Sequence, residues 1–226
     1  MLLQLCEKLI CLVDSESDVA FFDSNQFPWV NTIETHWKTI LTELETVLEQ
    51  RTHIPNFQDL SEDQRILTEG EDWKTFFLYA YGHEVEENCG RCPETTKLLK
   101  AIPEMTSAMF SILAPGKHIP EHRGPYKGLL RYHLGLVIPS EGSCRIRVKE
   151  EVRSWGTGQS LIFDDSHPHE AWNDSSFLRV ILFVDILRPL PFPLSVINRL
   201  MVNRFSSRPF ITDIVDSARK NSLPNK

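Results

Sequence analysis

The chain has 226 residues, 41% of them hydrophobic and 24% charged, with a formal net charge of −7. This is ordinary globular composition, with enough residues for one sizeable core. The acidic balance excludes the strongly basic domain that nucleic-acid binders usually carry, so nucleic acid is not an expected partner. The early apolar run at residues 9–13 is too short to span a bilayer and lacks signal-peptide features. We therefore expect a cytoplasmic protein, with peripheral membrane contact as an alternative.

Five cysteines, an odd number, do not describe the disulfide framework of a small secreted domain. Cys89 and Cys92 form the one C-x-x-C motif, without a second such motif or a thioredoxin-like βαβ context. We interpret them as part of a structural loop or an incidental local pair. A redox pair and a zinc site remain alternatives, and the sequence does not decide whether the two thiols pair.

The first predicted elements are helices. Between residues 30 and 50, apolar side chains recur at steps of three and four, which is typical of an amphipathic helix packed on something larger: Ile33, Trp37, Ile40, Leu44, Val47 and Leu48. A second helix begins with Pro93 in its first turn and ends before Pro103.

From Ser107 onward the apolar period changes from helical spacing to two. Short β-branched and aromatic runs, separated by Pro, Gly, Asn and Asp, occupy residues 109–113, 129–138, 144–148, 160–165 and 177–186. The runs are too closely spaced for helical crossovers, which favours antiparallel closure of a jelly-roll or cupin-like kind. We predict a mainly β fold with N-terminal helices: a mostly helical region 1–104 packed on the core, a β core 105–190, and a helical tail 191–226.

The predicted tail begins with three closely spaced prolines. Beyond them, apolar residues line one face of a predicted helix: Leu194, Val196, Ile197, Leu200 and Met201. Such a helix usually caps a core. Four arginines cluster in the same region of an otherwise acidic chain, so contact with a membrane surface or a partner is the alternative: Arg188, Arg199, Arg204 and Arg208.

Basic residues within two predicted strands indicate an anion site. In residues 129–138 the period of two places Arg131 and His133 on one face, which we predict lines a cleft, and the larger apolar side chains on the other. Arg179 shares its face with Ile181 and Phe183. A buried arginine needs an anionic partner, so each arginine either faces a carboxylate ligand or pairs with a structural aspartate.

His122 and His169 are candidate metal ligands, 47 residues apart. Non-haem iron oxygenases hold their metal with two histidines and one carboxylate, which normally stands two residues after the first histidine. Gly124 occupies that position here. The pattern therefore fits a metal site only if water replaces the third protein ligand, and loop histidines with other partners are the alternative.

Longer motifs make the comparison specific. The segments HRGPYKGLLRYHLGLVIP, W-x-x-G from Trp155 to Gly158, LIFDDSHPHEAWND and FLRVILFVDILRP resemble the catalytic domain of the aspartyl/asparaginyl β-hydroxylase family, from about Asp72 to Pro189. The resemblance implies a double-stranded β-helix that uses Fe(II), 2-oxoglutarate and O2. It also implies an iron held by His122 and His169 alone. The absence of a carboxylate ligand at Gly124 is then a trait of the family.

The same resemblance assigns the cosubstrate site. It implies that Arg131 and His133 contact 2-oxoglutarate, that Arg179 grips its distal carboxylate, that Ser111 assists, and that Trp73 belongs to the same site. Asp164 and Asp165 either orient His169 and its loop or are exposed turn residues.

The substrate is less well defined. The resemblance implies hydroxylation of an unactivated C–H bond, with β-hydroxylation of an Asp or Asn residue or a related carboxylate as the first expectation. A bacterial branch that hydroxylates the acyl chain of lipid A shares W-K-x-F-F-L, MFSILAPG and LRYHLGL with this chain, although that branch carries HRD where this chain has HRG. A free amino acid is another alternative. From a different class, a non-catalytic jelly-roll module that binds an anion stays open.

Overall fold

The computed structural model describes residues 2–57 and 72–206, together with residues 215, 216 and 219. Arg208 of the predicted arginine cluster lies outside the described residues. The six helices of the described part are α1 Leu2–Val13, α2 Val30–Thr35, α3 Trp37–Leu48, α4 Glu86–Arg91, α5 Pro93–Lys100 and α6 Leu194–Ser206. Short 3-10 helices lie at Ser24–Gln26 and Arg51–His53.

The strands are β1 Phe21–Phe22, β2 Trp73–Ala80, β3 His83–Glu84, β4 Met105–Leu113, β5 His118–His122, β6 Leu129–Val137, β7 Cys144–Val148, β8 Glu151–Ser154, β9 Ser160–Phe163, β10 His169–Asn173 and β11 Arg179–Leu187. They form a seven-stranded sheet of order β1-β9-β6-β11-β4-β2-β3 and a four-stranded sheet of order β5-β10-β7-β8. The pairs within both sheets are antiparallel. The predicted mainly β, jelly-roll, cupin-like fold is confirmed.

The larger sheet takes three strands from the region that we predicted to be mostly helical. Of these, β2 lies next to β4 and is buried along all eight residues. A strand covered on both faces lacks the alternation of apolar and polar residues, so its sequence, WKTFFLYA, does not show the period of two. The β core therefore begins before residue 105.

Helices cover the outer face of this sheet. The stripe predicted between residues 30 and 50 is present, and Ile40, Leu44 and Val47 pack with Tyr132 and Leu134 in one apolar cluster. The stripe belongs to two helices, since the chain leaves helical geometry at the intervening His36. The helix predicted from Pro93 is also present, with the proline in its first turn.

The C-terminal helix α6 differs from its prediction. Its buried side contains Leu194, Asn198 and Val202, whereas Val196 and Leu200 are exposed. The predicted apolar face does not cap the core, since Val196, Ile197 and Leu200 are exposed. The side that does pack on the protein includes Asn198, which donates a hydrogen bond to the carbonyl of Gly128 at 2.8 Å. Polar residues that satisfy buried backbone carbonyls are invisible to an apolar pattern.

Cys89 and Cys92 are free thiols buried in the apolar cluster under the helices. The Cys89 thiol donates to the carbonyl of Leu78, and burial raises the pKa of Cys92 to about 12. A thiol with a raised pKa is a poor nucleophile and metal ligand. The structural interpretation of this motif is the one that the geometry supports. Among the described helices, none combines the length and the apolarity needed to cross a membrane.

Candidate active site

Most of the predicted site residues lie on the inner face of the seven-stranded sheet, which faces the four-stranded sheet. In the central strands, Ile181 pairs with Ser111 on one side and Gly135 on the other, and Phe183 pairs with His133. The outer face of the same sheet is apolar and packs against the helices. The predicted division of residues 129–138 into a cleft face and a core face is confirmed from Leu130 to Leu136. It is wrong for the last two residues, because the register shifts after Gly135: Val137 packs on the outer apolar cluster and Ile138 on the inner one, the reverse of the prediction.

His122 and His169 come together on the opposing sheet. They are direct neighbours across β5 and β10, with ring centroids 4.1 Å apart. Nδ1 of His122 lies 2.8 Å from the carbonyl oxygen of Pro120, and Nδ1 of His169 lies 2.9 Å from that of His167. A carbonyl can only accept, so each Nδ1 carries the proton and each Nε2 keeps a lone pair for a metal.

Electrostatics favours the same state of the two histidines. Burial lowers the pKa of His122, and burial together with His122 and Arg131 lowers the pKa of His169 to about 3. Both imidazoles are therefore neutral near pH 7, which is the form that binds a metal. In the described part of the chain, no group of three or more His, Cys, Asp or Glu side chains could hold a metal ion. His122 and His169 would thus be a two-residue ligand set.

Asp165 fills the space where a side chain at position 124 would lie. A Cβ atom built on Gly124 would overlap the carboxylate of Asp165, and the Gly124 amide donates to the Asp165 carbonyl at 2.7 Å. Asp165 is 1% exposed. The alternative that Asp164 and Asp165 are exposed turn residues was wrong, because both carboxylates turn inward to meet buried cations.

Arg131 is the cation that meets Asp165. Its Nη2 lies 2.8 Å from Asp165 Oδ2, its Nε donates to Asp185 Oδ1 at 2.9 Å, and its guanidinium lies over the ring of Phe183. Although burial opposes the charge, the two aspartates raise the pKa of Arg131. Of the two interpretations left open for this arginine, the structural ion pair is the one the geometry supports, since two carboxylates already satisfy it.

Asp164 fixes the loop that leads to His169. It accepts from Lys127 Nζ at 2.9 Å, from Arg188 Nη1 at 2.7 Å and from the Ser166 amide at 2.9 Å. This buried network restrains both the segment that follows His122 and the segment that precedes His169. The network explains how two ligands so far apart in sequence are held in one geometry.

Arg179 is a buried cation that forms no ion pair with any described residue. It is 2% exposed, and its Nε and Nη1 have no hydrogen-bond acceptor among the described residues. Its guanidinium lies 4.6 Å from the centre of the Trp155 ring, and burial lowers its pKa to about 10. An unpaired buried guanidinium is costly unless an anion enters to meet it. The structure therefore supports the interpretation of Arg179 as an anion-binding residue.

His133 extends this polar patch. Both of its ring nitrogens lack a partner within the described ranges, and the ring is surrounded by Trp155, Phe163 and Phe183. Burial, with Arg131 and Arg179 nearby, lowers its pKa well below the usual value. The neutral imidazole offers one N–H donor to a ligand on the inner face.

Ser111 and Trp73 are directly connected. Trp73 Nε1 donates to Ser111 Oγ at 3.0 Å, and both side chains are buried. Since the serine oxygen accepts from the indole, its hydroxyl proton can be donated to a ligand. Thr75 pairs with Ser111 across the strands, and its buried hydroxyl has no partner in the described part of the chain. Thr75 was not predicted, because nothing in the sequence distinguishes it from an ordinary strand threonine.

The position of Trp155 depends on close contact between Gly135 on β6 and the glycines of the turn that follows the tryptophan. A Cβ atom on Gly135 would overlap the carbonyl of Gly156, and the Gly158 amide donates to the Gly135 carbonyl at 2.8 Å. The turn can therefore lie flat on β6, which places the Trp155 ring beside Arg179. Its indole N–H also lacks an acceptor in the described ranges. The W-x-x-G motif is recognisable in the sequence, but no role was predicted for this tryptophan.

Comparison with known proteins found one matching family and similar solved structures of cupin domains. The family model described as "Aspartyl/Asparaginyl beta-hydroxylase" matches residues 34–189. A solved cupin domain of an XRE family transcriptional regulator from Enterobacter cloacae aligns with 52% of this chain and 99% of its own, at 18% identity and a TM-score of 0.37.

Two curated relatives differ in how much they share with this chain. An ornithine lipid ester-linked acyl 2-hydroxylase from Rhizobium tropici is 44% identical over 200 residues, which is 88% of this chain and 71% of that protein. An aspartyl/asparaginyl beta-hydroxylase from Homo sapiens is 40% identical over 165 residues, which is 71% of this chain and 21% of that protein. The chain belongs to the aspartyl/asparaginyl β-hydroxylase family, and is a hydroxylase on a cupin-like jelly roll.

Proposed function

We propose that this hydroxylase is an Fe(II)- and 2-oxoglutarate-dependent dioxygenase, and that it hydroxylates an acyl chain of a lipid beside the carbonyl group. The observation that supports the proposal most strongly is the buried, unpaired guanidinium of Arg179. On the inner face beside Arg179 lie further polar groups that have no hydrogen-bond partner among the described residues. The opposing sheet carries two histidines whose Nε2 atoms keep a lone pair for a metal. A small carboxylic acid that also chelates a metal suits both features.

The residues present fit the metal and the cosubstrate. His122 and His169 would hold Fe(II) through Nε2, because both Nδ1 atoms are engaged by backbone carbonyls. Bound there with 2-oxoglutarate and O2, the metal supplies the oxidant for hydroxylation of a C–H bond. The protein's own contribution is to bind, to orient and to exclude water.

Arg179 would bind the distal carboxylate of 2-oxoglutarate with two parallel N–H donors. Ser111 can add its hydroxyl proton, which remains available while its oxygen accepts from Trp73. His133 would supply one further donor. Ile181 and Phe183 are buried between these groups, so the bound anion would lie among apolar side chains that keep out water and strengthen each charged contact.

The choice of substrate rests on the relatives. An acyl 2-hydroxylase and an aspartyl β-hydroxylase both act, by their names, on a methylene next to a carboxyl-type carbon, so one reaction centre can serve both. Similarity to the Rhizobium enzyme extends over 88% of this chain, beyond the 71% shared with the human enzyme. We therefore place a lipid acyl chain before the Asp or Asn residue that the sequence led us to expect. The Asp or Asn residue is the second candidate, supported by 40% identity to the human enzyme.

The proposal is tested by supplying purified protein with Fe(II), 2-oxoglutarate and O2, and with either an ornithine lipid in micelles or an Asp- and Asn-containing peptide. We expect succinate to form in step with a lipid product that has gained one oxygen atom. Turnover should be lost without iron and in His169→Ala. Hydroxylation of the peptide alone would transfer the proposal to the second candidate. Binding of 2-oxoglutarate without any turnover, whatever the substrate, would instead support the anion-binding module.

A further inference from the structure

The N-terminal helix α1 exposes a stripe of leucines. Leu2, Leu5, Leu9 and Leu12 follow at steps of three and four, so they share one side of the helix, and they are between 36% and 82% exposed. The adjacent side of the helix, which packs on the protein, is apolar as well, since the buried residues of the helix are Cys6 and Ile10. A helix that is apolar on two sides normally buries both.

The C-terminal helix α6 shows the same feature beside it. The two helices share one apolar cluster, in which Cys6 and Ile10 meet Leu194 and Val202. On its outer side α6 exposes apolar residues that continue into the preceding loop: Phe192, Val196, Ile197 and Leu200, between 38% and 84% exposed. Two neighbouring helices thus each present several apolar side chains to solvent, and exposed apolar surface of this kind is typical of an interaction site.

The charge of these helices is opposite to that of the chain. Together α1 and α6 carry the basic residues Lys8, Arg199 and Arg204 and the single acidic residue Glu7, in a chain of net charge −7. Of these cations, Arg199 forms an ion pair with Glu104, which lies outside the two helices. Glu7 is half-buried and accepts from the backbone amide of Lys127 at 3.3 Å. Apolar side chains flanked by basic ones are the composition of helices that lie in the surface of an anionic bilayer.

The helix pair is also attached to the segments that carry the two histidines. Glu7 contacts Lys127, which lies between His122 and β6. At the end of α1, Asp14 accepts from Arg188 at 2.6 Å, and Arg188 donates to Asp164, five residues before His169. These contacts connect α1 to both segments that carry the metal-binding pair.

We propose that α1 and α6 form a docking surface for an anionic phospholipid bilayer, from which the site takes its acyl substrate. The proposal rests on the proposed function, since only a substrate held in a membrane requires such a surface. A second copy of the chain is the less suitable occupant. A two-fold symmetric interface would bring the basic residues of both copies together.

The test measures docking without chemistry. The protein is floated with vesicles of phosphatidylcholine alone, or with added phosphatidylglycerol, neither containing substrate lipid. We expect binding to the anionic vesicles that weakens with salt, and a bound-to-free ratio at least about tenfold lower in Leu9→Ser/Leu12→Ser. The matched control is Val152→Ser/Phe177→Ser, which removes equally exposed apolar side chains from β8 and the loop before β11 and should bind like the parent.

Two further readouts separate this proposal from the proposed function. Turnover of micellar lipid should be equal in the parent and Leu9→Ser/Leu12→Ser, while turnover of lipid in vesicles should fall with docking. Lipid hydroxylation by a parent that does not bind vesicles would overturn the docking surface and leave the proposed function standing. Vesicle binding that requires Leu9 and Leu12, with no lipid hydroxylated, would support the docking surface and overturn the proposed function. A dimer that the double variant dissociates, with no vesicle binding, would assign the surface to self-association and overturn the proposal.

Discussion

Replacement of Arg179 by methionine should have opposite effects on stability and on cosubstrate binding. The guanidinium is buried without an acceptor in the described part of the chain, and its pKa is lowered to about 10. A depression of that size corresponds to ~3 kcal/mol of desolvation. The contact with Trp155, which the variant loses, is worth ~1–2 kcal/mol. The free energy of unfolding without cosubstrate should therefore rise by about 1–2 kcal/mol. For a chain of this size, each kcal/mol raises Tm by about 2–4 °C.

Affinity for 2-oxoglutarate should fall in the same variant. Two charge-assisted hydrogen bonds, each worth about 1.5–3 kcal/mol, are lost, so Kd should increase at least about 100-fold. Arg179→Lys keeps the charge without the two-pronged geometry and should weaken binding by roughly tenfold or more. The assays are chemical denaturation without cosubstrate and anaerobic calorimetric titration of the Fe(II) protein with 2-oxoglutarate. Succinate should compete with 2-oxoglutarate in the parent.

Arg188→Met is the matched control for stability. Arg188 is buried to the same extent, but it is paired with Asp14 and Asp164. Removing one partner of a buried ion pair usually costs about 3–5 kcal/mol, so this variant should be destabilised. If Arg179→Met is destabilised like Arg188→Met and binds 2-oxoglutarate like the parent, Arg179 is a structural residue and the reasoning is refuted.

Three further predictions concern other parts of the molecule. His169→Ala should lose iron-dependent turnover with its fold retained by circular dichroism, whereas His36→Ala, at an exposed position between two helices, should turn over like the parent; parent-like turnover in His169→Ala would contradict the metal assignment. Gly124→Ala should displace the carboxylate of Asp165, lowering stability by about 1–3 kcal/mol together with turnover, and unchanged Tm and turnover would contradict the close contact. Native alkylation followed by mass spectrometry should label the exposed Cys11 first, because the other four thiols are buried; rapid labelling of a second thiol would show that the core opens.

Much of the β architecture could be predicted, because apolar and polar residues alternate along a strand that has one polar face. The division of β6 into a cleft face with His133 and a core face with Tyr132 follows from that period alone. The strand β2 could not be found in this way, since both of its faces are covered. The orientation of α6 could not be predicted either. Its buried side includes the polar Asn198, whereas an apolar pattern predicts that leucine and valine are buried.

The sequence suggested which residues could form the site, but not which side chains would contact them. A sequence shows that Arg131 and Arg179 lie on strands, but which of them meets a carboxylate depends on tertiary neighbours. Asp165 and Asp185 satisfy Arg131, while Arg179 has no such partner among the described residues. The close approach of Asp165 to Gly124 likewise joins two loops that are distant in sequence, and no local pattern reports it.

We expect Fe(II) and 2-oxoglutarate to bind together, with His122 and His169 as the metal ligands. Anaerobic absorption spectroscopy can detect this complex, because a 2-oxo acid that chelates Fe(II) gives a visible charge-transfer band. Addition of 2-oxoglutarate to the Fe(II) protein should produce this band, and His169→Ala should not show it at the same concentrations. A parent protein that binds 2-oxoglutarate by calorimetry but shows no band, or a band of equal strength in His169→Ala, would contradict the account.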